Sequence, residues 1–307
     1  MTQNDKDRQE YNSWKKGYYH LSSDGWKDGL IFNDTEQYAY GMTLMGVITL
    51  KYDLKIYSFS LMPNHFHLLA SGTGAAFSDA FSYIKRRLNQ RLQKKGFPTI
   101  PRAYGFKLVP VKDQEQMKTN IIYIDRNSYE KQLCVHGGYP WCSCYLQFSR
   151  FDKPSCAVRA GSLSLRTVQK LAGTHHPIPD HWQFHPSYGL LPISFVDVSL
   201  FHRLFASPKE YLTRLVKDYE AYVKIANALG EIPAFSPEET KEIAKTLLQQ
   251  LFPGRWFSNL THDEKGRLAV FLTKQYKLPA ASIANVLALP ERTVQQFLRA
   301  KDYGNMR

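Results

Sequence analysis

The chain has 307 residues, 43% hydrophobic and 14% aromatic, which is more than one small domain needs and excludes a disordered polymer. Its 40 Lys and Arg against 27 Asp and Glu leave a net charge of +13, so the expected partner is a polyanion, nucleic acid first of all. No stretch approaches the roughly 18 apolar residues of a membrane span, and four cysteines are too few for a disulfide framework, so a cytoplasmic protein with reduced thiols and no membrane partner is expected.

Residues 1 to 14 read as a mobile polar lead-in without the apolar segment of a secretion signal. Gly17 to Ser22 reads as a first strand. Asp34 is a good helix N-cap, and Glu36 to Leu50 carries helical spacing. From Lys55 to Leu61 the residues alternate, with Tyr57, Phe59 and Leu61 on one face and Ile56, Ser58 and Ser60 on the other, a strand pattern. Pro63-Asn64 makes a turn, and His65 to Leu69 reads as the next strand. Side chains two apart on a strand share a face, so His65 and His67 stand side by side while Phe66 points into the opposite layer. Two neutral imidazoles presented together are half of a divalent-metal site, with positions left for oxygen ligands and a phosphate.

Ser71-Gly72-Thr73-Gly74 is a break, and Asp79 to Lys95 is a strong helix with Ala80, Phe81, Ile84, Leu88 and Leu92 as its apolar stripe. Its other face carries Lys85, Arg86, Arg87, Arg91, Lys94 and Lys95. Such a face is either a solvated surface or a phosphate contact, and beside a nucleic-acid site the second reading is preferred. Lys107 to Val111 reads as a strand and Gln114 to Gln132 as a helix. On that helix Tyr123 and Asn127 are four apart and share a face. The phenol can attack phosphorus and the carboxamide oxygen can ligate a hard cation. With the histidine pair they make a metal-assisted phosphoryl-transfer site with a covalent tyrosine intermediate, Tyr129 being the second choice of nucleophile. The order β-α-β-β-α-β, then α, is that of a ferredoxin-like α+β fold. Helices cover one face of its antiparallel sheet, and the other face is left for the histidine pair and its covering helix.

Met62-Pro63-Asn64-His65-Phe66-His67-Leu68-Leu69 resembles the signature of the single-tyrosine HUH transposases. Tyr123-Ile124-Asp125-Arg126-Asn127, followed by Tyr139-Pro140-Trp141-Cys142-Ser143, is similar to the REP-associated branch. Ser128 stands where that branch has proline and Cys142 where it has serine, and neither position carries the chemistry. The resemblance covers roughly residues 15 to 148. It implies a ferredoxin-like sheet, a single-stranded DNA substrate with a hairpin, and a 5′-phosphotyrosine intermediate. By motif, Tyr123 is the nucleophile, and His65, His67 and Asn127 are the ligands of Mg²⁺ or Mn²⁺. A monomer or a homodimer is implied.

Residues 149 to 195 carry scattered Pro and Gly and read as an irregular connector. His176, His181 and His185 could bind a metal but lack a carboxylate or thiol in register. Cys134, His136, Cys142 and Cys144 match no common zinc spacing. From 196 the chain turns helical, with apolar repeats over Pro208 to Leu229 and Pro237 to Leu251. Leu268 to Tyr276, Pro279 to Leu287 and Glu291 to Arg299 read as a helix-turn-helix unit, with Ala288 at a turn position where glycine is more usual. Its outward residues Arg292, Gln295, Gln296 and Arg299 suit guanine and adenine edges in a major groove. The expected domains are therefore an HUH single-tyrosine domain over 1–148, a connector over 149–195, and a helical domain over 196–307. The rival to a transposase is a non-catalytic, sequence-specific DNA-binding regulator derived from one.

Overall fold

Four strand-forming runs build one antiparallel sheet in the computed structural model, which describes residues 3–130, 139–146 and 156–300. The first elements are α1 (Gln3–Asn12), β1 (Gly17–Ser23), α2 (Thr35–Lys51), β2 (Lys55–Met62), β3 (His65–Gly72), α3 (Gly74–Lys94), β4 (Phe106–Val111) and α4 (Gln114–Glu130). In space the strands run β2-β3-β1-β4. Residues opposite one another across a strand pair share a face. Ser22 and Ser60 both lie opposite His67, and His20 lies opposite Leu69, so His20, Ser22, Ser60 and His67 share one face. The other face carries Leu21, Phe59, Leu61, Phe66 and Leu68. They join Met42, Met45 and Ile48 of α2 and Phe77, Phe81 and Ile84 of α3 in one buried core. α4 packs against β2 and β3.

Local chemistry sets the helix starts. The Asp34 carboxylate accepts from Gln37 N (2.8 Å) and begins α2. The Thr73 hydroxyl accepts from Ala76 N (3.2 Å) and begins α3 five residues before the expected Asp79. Two expectations are corrected. Residues 3–12 form α1 instead of a mobile lead-in, because Tyr11 is buried edge-on to Trp14 (4.9 Å) and beside Phe106 (5.4 Å). β2 has a bulge between Ile56 and Ser58, which turns Ile56 into the core. Tyr57 then hydrogen-bonds Ser71 (3.0 Å) beside Tyr18 (5.6 Å) instead of lining up with Phe59.

The chain divides into two compact units, Met1–Leu215 and Val216–Arg307. After β5 (Val158–Arg159) and α5 (Leu165–Ala172) come β6 (Gln183–His185) and β7 (Gly189–Leu190), and the three short strands pair as β5-β6-β7. Trp182, Phe184 and Leu190 enter the same core as the main sheet. Gly189 sits at φ +67°, where a Cβ would lie 2.1 Å from the Ala39 carbonyl oxygen, so only glycine lets β7 lie on α2. α6 (Val198–Leu204) and α7 (Pro208–Lys217) follow. Tyr211 of α7 donates to Asp125 of α4 (2.9 Å), and Arg126 donates to the Leu215 carbonyl (2.7 Å).

The second unit holds α8 (Tyr219–Leu229), α9 (Pro237–Leu251), α10 (His262–Tyr276), α11 (Ala280–Leu287) and α12 (Glu291–Arg299). The apolar repeats over Pro208 to Leu229 fall on two helices, because the Asp218 side chain accepts from Ala221 N and caps a new start. Ser236 and Thr261 form capping boxes with Glu239 and Glu264. Ile243, Leu247, Leu268, Leu272, Ile283, Leu287, Val294 and Phe297 form the core of this unit. Ala288 adopts a left-handed conformation (φ +50°), which permits the sharp turn between α11 and α12. Among the described residues no helix is long and apolar enough to cross a membrane.

Candidate active site

Pro63-Asn64 joins β2 to β3 as a two-residue hairpin, with Met62 opposite His65. The 26–32 segment grips this turn. Trp26 N donates to Asn64 O (3.0 Å), Ile31 N donates to Pro63 O (2.7 Å), and Asn64 Nδ2 donates to Trp26 O (3.1 Å). The turn therefore fixes where β3 begins and so which face the histidines take. His65 and His67 stand on one face with ring centroids 5.0 Å apart, His67 fully buried and His65 half-buried.

α4 brings Tyr123 to that face. Its ring centroid lies 5.5 Å from that of His67, and the side chain is 1% exposed. Asn127, also buried, donates from Nδ2 to the Tyr123 carbonyl (2.9 Å), which leaves Oδ1 as the acceptor end of the amide. Two imidazoles side by side on one face are donors of the kind a small divalent ion takes.

Sequence reasoning missed three residues around this pair. His20 of β1 lies 5.8 Å from Tyr123 between ring centroids, and its Nε2 is 3.2 Å from His67 Nδ1. Its Nδ1 is 2.7 Å from Asn120 Oδ1 on α4. Asn64 Oδ1 is 2.8 Å from His65 Nδ1. The contacts of His20 depend on pairing β1 with β3, which no local pattern reveals. Asn64 was legible as a turn residue but not as a partner of His65.

The run Tyr139-Pro140-Trp141-Cys142-Ser143 lies along the outer edge of β2. Leu61 N donates to Trp141 O (2.9 Å), Ser143 N donates to Phe59 O (3.0 Å), and Cys142 bridges Ser60. Tyr139 donates to the Leu61 carbonyl (2.6 Å), and Trp141 stacks on Tyr38 (4.9 Å). The segment thus protects the sheet edge next to the histidines. Cys142 and Cys144 are buried with their sulfurs 2.8 Å apart, whereas Cys134 and His136, their expected companions, lie outside the described residues. The side chain of Tyr129 is likewise outside them. Two of the three spaced histidines make other hydrogen bonds. His176 Nε2 lies 2.8 Å from the Leu50 carbonyl, and His185 Nδ1 accepts from Ser187 N (3.1 Å).

The basic face of α3 is only partly open. Lys85 Nζ donates to the carbonyls of Arg102 (2.9 Å) and Tyr104 (2.6 Å), and burial pushes its ammonium pKa down. Arg87 bonds the Tyr40 hydroxyl (3.0 Å) and the Gly173 carbonyl (2.9 Å), and Arg91 lies over the Tyr40 ring (4.7 Å) and pairs with Glu36. Arg86 is exposed and, with Lys85, Arg8 and Arg102, lines a cleft of about 660 Å³ floored by Phe81 and Tyr104. On α12, Arg292, Gln295, Gln296 and Arg299 are all exposed, while Val294 and Phe297 are buried.

No protein-family model and no curated protein matches the chain. Among solved structures, the chain is similar to a REP-associated tyrosine transposase bound to a REP hairpin, with 15% identity over 46% of this chain and 84% of that one, at a TM-score of 0.36.

Proposed function

We propose that the protein is a metal-dependent, single-tyrosine HUH transposase of the REP-associated type. It would nick and rejoin single-stranded DNA through a 5′-phosphotyrosine. The observation that carries this reading is the Tyr123 ring on α4 lying 5.5 Å from His67 on the sheet, beside the paired His65. The strand order β2-β3-β1-β4 supports a ferredoxin-like core for it.

A divalent ion, Mg²⁺ or Mn²⁺, held by His65, His67 and Asn127 would polarise the scissile phosphate and offset the charge growing on its oxygens. The protein supplies the rest. The Tyr123 oxygen bonds to phosphorus as the phosphorus bond to the 3′-oxygen breaks. The phenolic proton leaves to solvent, and the departing 3′-oxygen takes one up. Attack by another 3′-hydroxyl reverses both changes, so the step runs without a nucleotide cofactor. Unpaired DNA suits a buried phenol, since a single-stranded backbone bends freely. Arg86 and its basic neighbours on α3 would hold phosphates, and α11 and α12, read as a helix-turn-helix, would hold the duplex part of a hairpin through Arg292, Gln295, Gln296 and Arg299.

The exposed polar face of α12 is what favours a second reading, the non-catalytic regulator. Purified protein mixed with Mn²⁺ and end-labelled single-stranded oligonucleotides separates the two. The enzyme gives a denaturant-stable adduct that Tyr123→Phe abolishes. Tight binding with no adduct across an oligonucleotide library leaves the regulator.

A further inference from the structure

We propose that His20 and Asn120 are positioning residues that fix the metal-facing tautomer of His67 and tie it to the helix carrying Tyr123. The proposal rests on reading His65 and His67 as metal ligands.

Asn120 Nδ2 donates to the Gln116 carbonyl one turn back on α4, at 2.7 Å. A carbonyl only accepts, so the NH₂ end of Asn120 faces it and Oδ1 faces His20. Oδ1 also only accepts, and it lies 2.7 Å from His20 Nδ1, so that nitrogen holds the proton. In the neutral form of His20, which the spectra below read directly, Nε2 is the acceptor nitrogen. That atom lies 3.2 Å from His67 Nδ1, which then carries the proton. This is the His67 tautomer whose Nε2 can ligate a cation.

A separate amide does the same for His65. Asn64 Nδ2 donates to the Trp26 carbonyl (3.1 Å), so Oδ1 accepts from His65 Nδ1 (2.8 Å). Two unrelated carboxamides thus set both imidazoles in the same tautomer. His20, His67 and Asn120 are at most 2% exposed, so water does not compete for these bonds. Partners of this kind orient the ring and raise the basicity of its ligating nitrogen. Asn120 also stands three residues before Tyr123, on the same side of α4. A slip of α4 that moved the phenol would break the relay as well.

The test uses the full chain labelled with ¹⁵N-histidine, free of metal, and long-range ¹H–¹⁵N spectra that distinguish the two tautomers. His20 and His67 are expected as Nδ1–H forms. Mn²⁺ alone is then titrated by electron paramagnetic resonance. Asn120→Leu is expected to mix the His20 and His67 tautomers and weaken Mn²⁺ binding by roughly 10–100-fold. His67 protonated at Nε2 in the parent protein overturns the proposal, as does an Asn120→Leu protein with unchanged tautomers and Mn²⁺ affinity. If that variant does not fold, the parent spectrum alone decides. Failure of the transposase reading looks different, since it gives the expected tautomers without a covalent DNA adduct.

Discussion

Replacing Tyr211 with Phe removes a single oxygen from the buried contact between α7 and α4. Tyr211 Oη donates to Asp125 Oδ2 at 2.9 Å, and Asp125 Oδ1 faces Ser58 Oγ at 3.4 Å, with all three residues buried. Burial pushes the Tyr211 phenol well above its ordinary pKa, and the Asp125 charge adds to this, so the phenol remains a donor. Phenylalanine keeps the ring against Phe201 (5.2 Å) and Phe205 (5.4 Å), so the apolar burial is unchanged. What is lost is a hydrogen bond to a buried carboxylate, about 1.5–3 kcal/mol. Urea unfolding of the first unit reports this through Trp141 and Trp182, which are buried there. The midpoint should fall with the slope unchanged. A double-mutant cycle with Asp125→Ala should return a coupling of about the same size. A loss below about 0.5 kcal/mol, or two additive substitutions, would mean that α7 is not held to α4 by this bond and would refute the reasoning.

Gly74→Ala places a Cβ 1.9 Å from the Tyr11 carbonyl oxygen, so the end of α1 must move and release Tyr11. Calorimetry should show a loss of about 3–5 kcal/mol, and a variant as stable as the parent contradicts the docking of α1. Lys85→Met removes the donor to the Arg102 and Tyr104 carbonyls and should cost about 1–3 kcal/mol of stability. Exposed Arg86→Ala should leave stability alone and lower the salt slope of oligonucleotide binding by about 1, so the reverse assignment of effects would be decisive against this one. In the second unit, burial and then the Glu220 carboxylate push Tyr276 up to about 12, and in the first unit Tyr104 and Tyr211 are raised by burial. Unfolded chains lose phenolic protons near pH 10 while the folded protein keeps them. The stability from these groups is therefore whole below about pH 10 and drains as the pH climbs toward the folded value. Urea midpoints measured across that window should fall, Tyr276→Phe should blunt the fall in the second unit, and a flat profile counts against it.

Patterns of short range carried the sequence reading well. The alternation in β2 and β3 and the i, i+4 spacing of Tyr123 and Asn127 need only neighbours in the chain, and the histidine pair does stand on one face beside the Tyr123 helix. The bulge at Tyr57 broke that same alternation, because one extra residue flips every side chain before it. Residues 156–195 were opaque for another reason. Trp182, Phe184 and Leu190 fill gaps in an existing core one at a time, so they follow no period of their own. α1 was misread because its sequence is almost wholly polar, and the docking depends on Tyr11 near its end. The role of His20 needed strand order and register together, and both are non-local.

The polar layer itself bears on function. One face of the sheet is closed by aliphatic and aromatic side chains, the ordinary solution for a buried surface. The face under α4 instead buries His20, Ser22, Ser58, Ser60 and His67, with Asn120, Asp125 and Asn127 among the buried residues of the helix above. Burying polar groups is unfavourable unless each finds a partner, and well-packed apolar residues of similar volume would hold a helix to a sheet at least as firmly. Stability alone therefore does not account for this layer. On the proposed reading, the relay of paired amides and imidazoles would hold lone pairs and a phenol in fixed directions, at the expense of a simpler core.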